Sequence, residues 1–342
     1  MKNRTMLAKS LFLVVALSLL LMAACGAPAG PSEQAPTTIR LLGGAVGGEY
    51  YIFATGLAPI IQKYSTLKAT SAAGYMSQDN IRMLRTGEAD TAFATNDALR
   101  DAWNGTGVFK DKLRWLRLVD TGAPGVANFV ARADSNIKTP GDLAGKKWIA
   151  DLPTSPPVTA VKNAILEFYN LKDKVDILPF TTHGAYLEAM KEKRVDAVIA
   201  PGTPPTAGII NLTSEVNCVM VDVEKDKAQA INRKYLDTLP ITIPAGTYKG
   251  QTKDVINLGW RNALITRAEL PESLVYEMTK AIYEHPADVK AIHPAAISFT
   301  KEHIFEDAIL PYHPGAVKYF KEAKVWTDKM EAFQQKMLAE AK

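Results

Sequence analysis

The chain has 342 residues, of which 47% are hydrophobic and 22% charged. That is globular composition, with length enough for two domains, and it excludes both a disordered chain and a polytopic membrane protein. The first 25 residues carry three of the 40 basic residues and no acid, so 37 basic face 36 acidic residues in the remainder. A chain so nearly neutral has no electrostatic footprint for nucleic acid.

The N-terminus reads as a leader. Lys2, Arg4 and Lys9 precede the apolar run LFLVVALSLLLMAA, which is too short to span a bilayer comfortably, and Cys25 follows. This order predicts a secretory signal over residues 1–24. LMAAC resembles the lipoprotein signal that ends in an acylated cysteine, with Met22 where that signal usually has Leu. Cys25 is the expected lipidation site, and CGAPAGPSEQAPT, residues 25–37, the expected tether. An acylated Cys25 leaves Cys218 without a disulfide partner, a buried thiol in the run VNCVMVDV.

Strand and helix patterns then alternate. TTIRLLGG reads as a strand and Tyr51 to Tyr64 as a helix. LKATSAAG is a second strand, followed by a helix from Ser77 to Arg85 with Asp79 available to cap it. ADTAFATN is a third strand, followed by the helix DALRDAWNG. LRWLRLVDTGAPGVANFVARADSN is a long extended stretch broken by glycine and proline, read as a crossing into a second domain. There the pattern restarts with KKWIAD, VTAVKNAILEFYN, VDILPF, AYLEAMKEKR and VDAVIAPG. KDVINLGWRNALITRAEL is the return crossing, and closing helices follow. The expected fold is α/β: two lobes with mostly parallel sheets joined by two extended crossings, a hinged clamshell. Residues 38–124 and 259–342 form lobe 1, and residues 125–258 form lobe 2.

Ligands of such sheets bind beyond the carboxyl ends of the strands. Three first-lobe segments lie there: GGAVGGEYY, AAGYMSQDN and ATND. The glycines let a ligand approach backbone N–H groups at a helix start, which suits an anion. The candidate contacts are Gly47, Gly48, Tyr50, Tyr51, Ser77, Asn80, Asn96 and Asp97. Helix capping is the competing role for the four polar residues. Glu49 is expected to turn to solvent, and one or two of Glu49, Tyr50 and Tyr51 to reach a ligand.

Catalysis finds little support. GxSxG, HExxH and GxxxxGK[ST] are absent, and GGAVGGEYY does not match GxGxxG. Four of the five histidines are spread over residues 285–313, too far apart for paired metal ligands, and only His183 precedes them. No enzyme activity, metal or cofactor is expected.

Several ordered segments resemble the TAXI-type solute-binding proteins of TRAP transporters. They are GGAVGGEYY, SQDNIRMLRTGEADTAFATNDALRDAWNGTG, RVDAVIAPGTPP, the stretch from IPAGTYKG to AIYEH, and PYHPGAVKYFKEA, covering roughly residues 38–325. The resemblance implies a periplasmic-binding-protein-like fold. It also implies capture of a small organic anion, a carboxylate such as glutamate or a 2-oxo acid, and delivery to an ion-gradient-driven membrane permease. By the same resemblance the second wall of the cleft holds Thr154 and Ser155 in DLPTSPP, Gly202 and Thr203 in APGTPP, and Tyr248 in IPAGTYKG. DLPTSPP departs from the family's glycine-rich turn, and MS in GYMSQDN replaces its GS. A monomer anchored outside the cytoplasm by its acyl chain is expected. The alternatives are a receptor of an ATP-driven importer for a pyrimidine- or sulfonate-like ligand, and a ligand-presenting sensor subunit.

Overall fold

The computed structural model describes residues 37–342 except Gly47 and Thr154. The leader and Cys25 lie outside the described residues, as do those two candidate contacts.

The first lobe begins as three strand–helix pairs. They are β1 (Thr38–Leu42) with α1 (Glu49–Tyr64), β2 (Lys68–Ala72) with α2 (Ser77–Arg85), and β3 (Thr91–Thr95) with α3 (Asn96–Asn104). β1 lies between β2 and β3 and is parallel to both. The expected crossing is two strands, β4 (Leu116–Asp120) and β5 (Pro124–Arg132), because the chain breaks at Thr121–Ala123. The second lobe repeats the winding: β6 (Lys147–Asp151), α4 (Pro156–Phe168), β7 (Asp176–Pro179), α5 (His183–Lys191), β8 (Ala197–Pro201) and α6 (Ala207–Glu215). Here β6 lies between β7 and β8, again parallel to both. Then come β9 (Cys218–Met220), α7 (Lys225–Lys234), β10 (Leu239–Ile243) and the long return strand β11 (Val255–Arg267). The closing helices are α8 (Glu272–Tyr283), α9 (Pro286–Lys290), α10 (Pro314–Glu322) and α11 (Asp328–Glu340).

Hydrogen bonding runs through both lobes in the order β2-β1-β3-β11-β5-β8-β6-β7. β11 runs antiparallel to β3 and β4 through its second half and to β5 and β10 through its first. The sheet is therefore mixed: each lobe has a parallel triplet, and the crossing strands add antiparallel pairs. The two crossings touch at glycines. A Cβ on Gly259 would sit 2.3 Å from the Gly125 carbonyl oxygen, so only glycine allows this approach.

The cores explain the sequence pattern. Ile39, Phe53, Leu57, Phe93, Leu118, Leu264, Met278 and Phe320 share one buried cluster in the first lobe. The second-lobe sheet is covered on both faces, with Phe129, Trp148, Ile165 and Ile199 on one side and Val130, Met190, Val198 and Ile209 on the other. Strands buried on both faces read as continuous apolar runs. Cys218 is a buried free thiol, pushed up to about 12 by burial. Among the described residues no helix is long and apolar enough to cross a membrane.

Candidate functional site

A cavity of about 640 Å³ lies beyond the carboxyl ends of β1, β2, β3, β6 and β8. The first lobe supplies one wall: Gly44, Ala45, Gly48, Glu49 and Tyr50 after β1, Tyr75 to Asp79 after β2, and Thr95 at the end of β3. The second lobe supplies Ser155, Pro156, Pro157, Pro201 and Gly202, and the crossings supply Gly125, Trp260 and Asn262. Four helix N-cap residues, Gly48, Met76, Thr95 and Ser155, line it together, and none is capped by its own side chain. Helix starts carry unpaired N–H groups and a partial positive charge. No lysine, arginine or histidine is among the described residues that line the cavity.

The first-lobe wall is fixed by Asn80, which is fully buried. Its Nδ2 donates to the carbonyls of Gly43 and Phe93, both at 2.8 Å, and its Oδ1 accepts from the Tyr75 N–H at 3.1 Å. One side chain thus ties together the three strand ends on which the wall stands. Gly74 packs so closely that a Cβ would lie 2.2 Å from the Gly43 carbonyl oxygen. Ser77 Oγ accepts from the Thr95 N–H and lies 3.1 Å from the Thr95 hydroxyl, which joins α2 to the end of β3. The Tyr50 hydroxyl donates to Asn262 Oδ1, and its ring stacks on Phe93 at 5.3 Å. Burial, with the charges of Glu49 and Asp97 near it, holds the phenol well above its ordinary range, so it stays a donor.

Glu49 overturns its expectation. It lines the cavity instead of turning to solvent, because the first turn of α1 opens on the cleft. Its Oε1 is buried without a hydrogen-bond partner. Burial pushes the carboxyl up to about 7, with the Thr203 side chain opposing. His293 Nδ1 lies 3.8 Å from Oε1 but accepts from the Ala295 N–H at 3.1 Å, so it has no proton to give Glu49.

The NMT1-like family model matches residues 41–323. The chain belongs to the NMT1-like family. Among solved structures, this NMT1-like chain is similar to the periplasmic aliphatic sulphonate binding protein SsuA from Escherichia coli. Identity is 13%, over 89% of this chain and 86% of that one, with a TM-score of 0.44. It is also similar to MatC from Rhodopseudomonas palustris with bound malate, at 12% identity over 89% and 99% of the two chains and a TM-score of 0.46. For substrate binding domain 2 of Lactococcus lactis GlnP the values are 9%, 80% and 97%, and 0.42.

Of the candidate contacts in this NMT1-like chain, Gly48, Tyr50, Ser77, Ser155 and Gly202 line the cavity. The other described candidates lie outside its lining. Tyr51, one residue further round the helix, is half-buried, and its carbonyl accepts from the Thr55 hydroxyl. Asn80 is held by the wall itself, as described. Asn96 donates to the Asp307 carbonyl and lines a separate 190 Å³ pocket beside Arg100 and Arg261. Asp97 has a buried, unpartnered Oδ1 and is raised by burial, against the Thr95 hydroxyl and the Ala98 N–H. Thr203 donates to the Pro124 carbonyl. Tyr248 is buried in the second lobe between Asn128 and Thr206. Asp79 does not cap α2: that helix starts from Met76 with no side-chain cap, and Asp79 faces Arg82 at 4.0 Å.

The lining residues that sequence reasoning missed include Glu49, Trp260 and Asn262. For the last two the signal was the break LGWRN in an otherwise apolar crossing, where small and polar residues admit a ligand or a neighbouring backbone.

Proposed function

We propose that this chain is the extracytoplasmic solute-binding component of a membrane transporter, closing two lobes on a small organic acid and passing it to a permease. The observation that carries this is the cavity: it lies where the crossings meet and takes its walls from both lobes, the setting in which hinged receptors close on a ligand. Its four uncapped helix starts suit the carboxylate, and Tyr50, Tyr75, Trp260 and the prolines suit an apolar body. In the finer reading the transporter is a TRAP system of the TAXI type, and Cys25 carries the acyl anchor of a monomeric lipoprotein. The lobes divide near residues 124 and 258, the hinge lies at Gly125 and Gly259, and Gly48, Tyr50, Ser77, Ser155 and Gly202 are contacts. Native mass spectrometry of the purified protein, followed by calorimetric titration with organic acids, tests the reading. A carried small acid that rebinds supports it. Binding confined to sugars, metal ions or cationic peptides refutes the ligand class.

A further inference from the structure

We propose that Glu49 reads the solute: its carboxyl receives a protonated amine or similar N–H donor, so the cleft prefers an amine-bearing acid to the plain acid of the same skeleton. This deepens the solute-receptor reading and rests on it.

The argument starts from charge. An acid with no other charged group would enter a cavity whose only charged lining residues, among those described, are themselves acids, Glu49 and Asp79. Asp79 is half exposed and faces Arg82, so it belongs to the rim. Glu49 is held in the wall with Oε1 buried and unpartnered. A buried carboxyl without a partner costs free energy unless it is protonated or a donor arrives. The described residues that line the cavity include no cation. His293 packs against the carboxyl but presents the lone pair already used by Ala295. The Thr203 hydroxyl, whose nearness lowers the carboxyl somewhat, gives its proton to the Pro124 carbonyl. Tyr50 and Asp97, the other titratable groups nearby, add a phenol and a second acid. A solute carrying an amine beside its carboxylate matches both halves of the site, the amine at Glu49 and the carboxylate at the helix starts.

The sign of the pH dependence separates the two solute classes. Burial holds Glu49 near 7. An ammonium favours the ionised carboxylate, so its affinity rises as pH rises through 7 and then levels off. A plain acid is repelled by that carboxylate, so its affinity falls over the same window.

The test titrates the purified protein from pH 6 to pH 8 with three pairs: L-glutamate and 2-oxoglutarate, L-leucine and 4-methyl-2-oxopentanoate, L-phenylalanine and phenylpyruvate. Within each pair an oxo group replaces the amine on the same carbon skeleton, and the amine stays protonated throughout. For the pair that fits the cavity, the amine member should bind at least about tenfold tighter at pH 8. Its affinity should rise by several-fold from pH 6. Glu49→Gln, nearly the same shape, should bring the two members within about threefold and flatten the slope, with its melting transition checked separately. A 2-oxo acid that binds as well as its amine partner overturns the inference and leaves the receptor reading standing, as does a preference that survives in Glu49→Gln. Binding by no member of any pair overturns the inference, and the small acid carried through purification then decides the receptor reading separately. The wild-type slope alone decides the matter if Glu49→Gln does not fold.

Discussion

Replacing Asn80 with alanine distinguishes a scaffold residue from a ligand contact. The side chain makes three hydrogen bonds, two to carbonyls at 2.8 Å and one from an N–H at 3.1 Å, at a position with no solvent exposure. Each bond contributes about 0.5–1.5 kcal/mol net, and a buried backbone group left unpaired costs about 1–3 kcal/mol. The loop after β2 will relax and recover part of this, so the expected loss is about 3–5 kcal/mol. That is a large share of a typical stability of about 5–15 kcal/mol. Asn80→Asp should do no better, since it sets a carboxylate oxygen against two carbonyls. Urea unfolding followed by tryptophan fluorescence measures the loss, with the midpoint falling and the slope unchanged. A loss below about 1 kcal/mol, with solute affinity falling in the same variant, would refute the scaffold role and return Asn80 to the ligand.

Three further outcomes are expected. Asp90 accepts from Arg40 and Arg267, which outweigh its burial and hold it below the usual carboxylate range. Asp90→Ala should cost about 1–3 kcal/mol, discounted because Arg40 is partly exposed, and the contribution should fade as pH falls below about 4, as acid titration of the melting temperature would report. Asp120 has the opposite sign: burial pushes it up to about 6 despite the bond from Tyr283, so its contribution falls as pH rises from about 4 to 6. Asp120→Asn should flatten urea-measured stability over that window, and an unchanged curve would refute the assignment. The Cys218 thiol should resist a disulfide reagent until the protein is unfolded, because it is buried and its thiolate is disfavoured.

The strand–helix alternation was legible because each lobe repeats one unit of three parts: an apolar strand, a small or polar turn, and a helix with an apolar face. The site was legible where turn chemistry is local, at Gly48, Tyr50 and Ser77. It was illegible where long-range pairing decides. Asn80 and Asn96 both follow strands and both look like contacts. One is consumed by the carbonyls of Gly43 and Phe93, the other by that of Asp307, residues distant in sequence. Trp260 and Asn262 lie on a strand buried along nearly its whole length, so no alternation marks which side chains meet the cavity. Glu49 was read as a solvated charge because nothing local says that the first turn of α1 opens on a cleft walled by residues distant in sequence.

The place of β11 has a consequence for how the chain is made. β3 ends at Thr95, and the strand that covers its open edge does not begin until Val255. During synthesis the first lobe must wait, its sheet unfinished, while the whole second lobe emerges. An uncovered β edge invites pairing with other chains. The nascent first lobe therefore carries an unpaired strand edge until β11 is made.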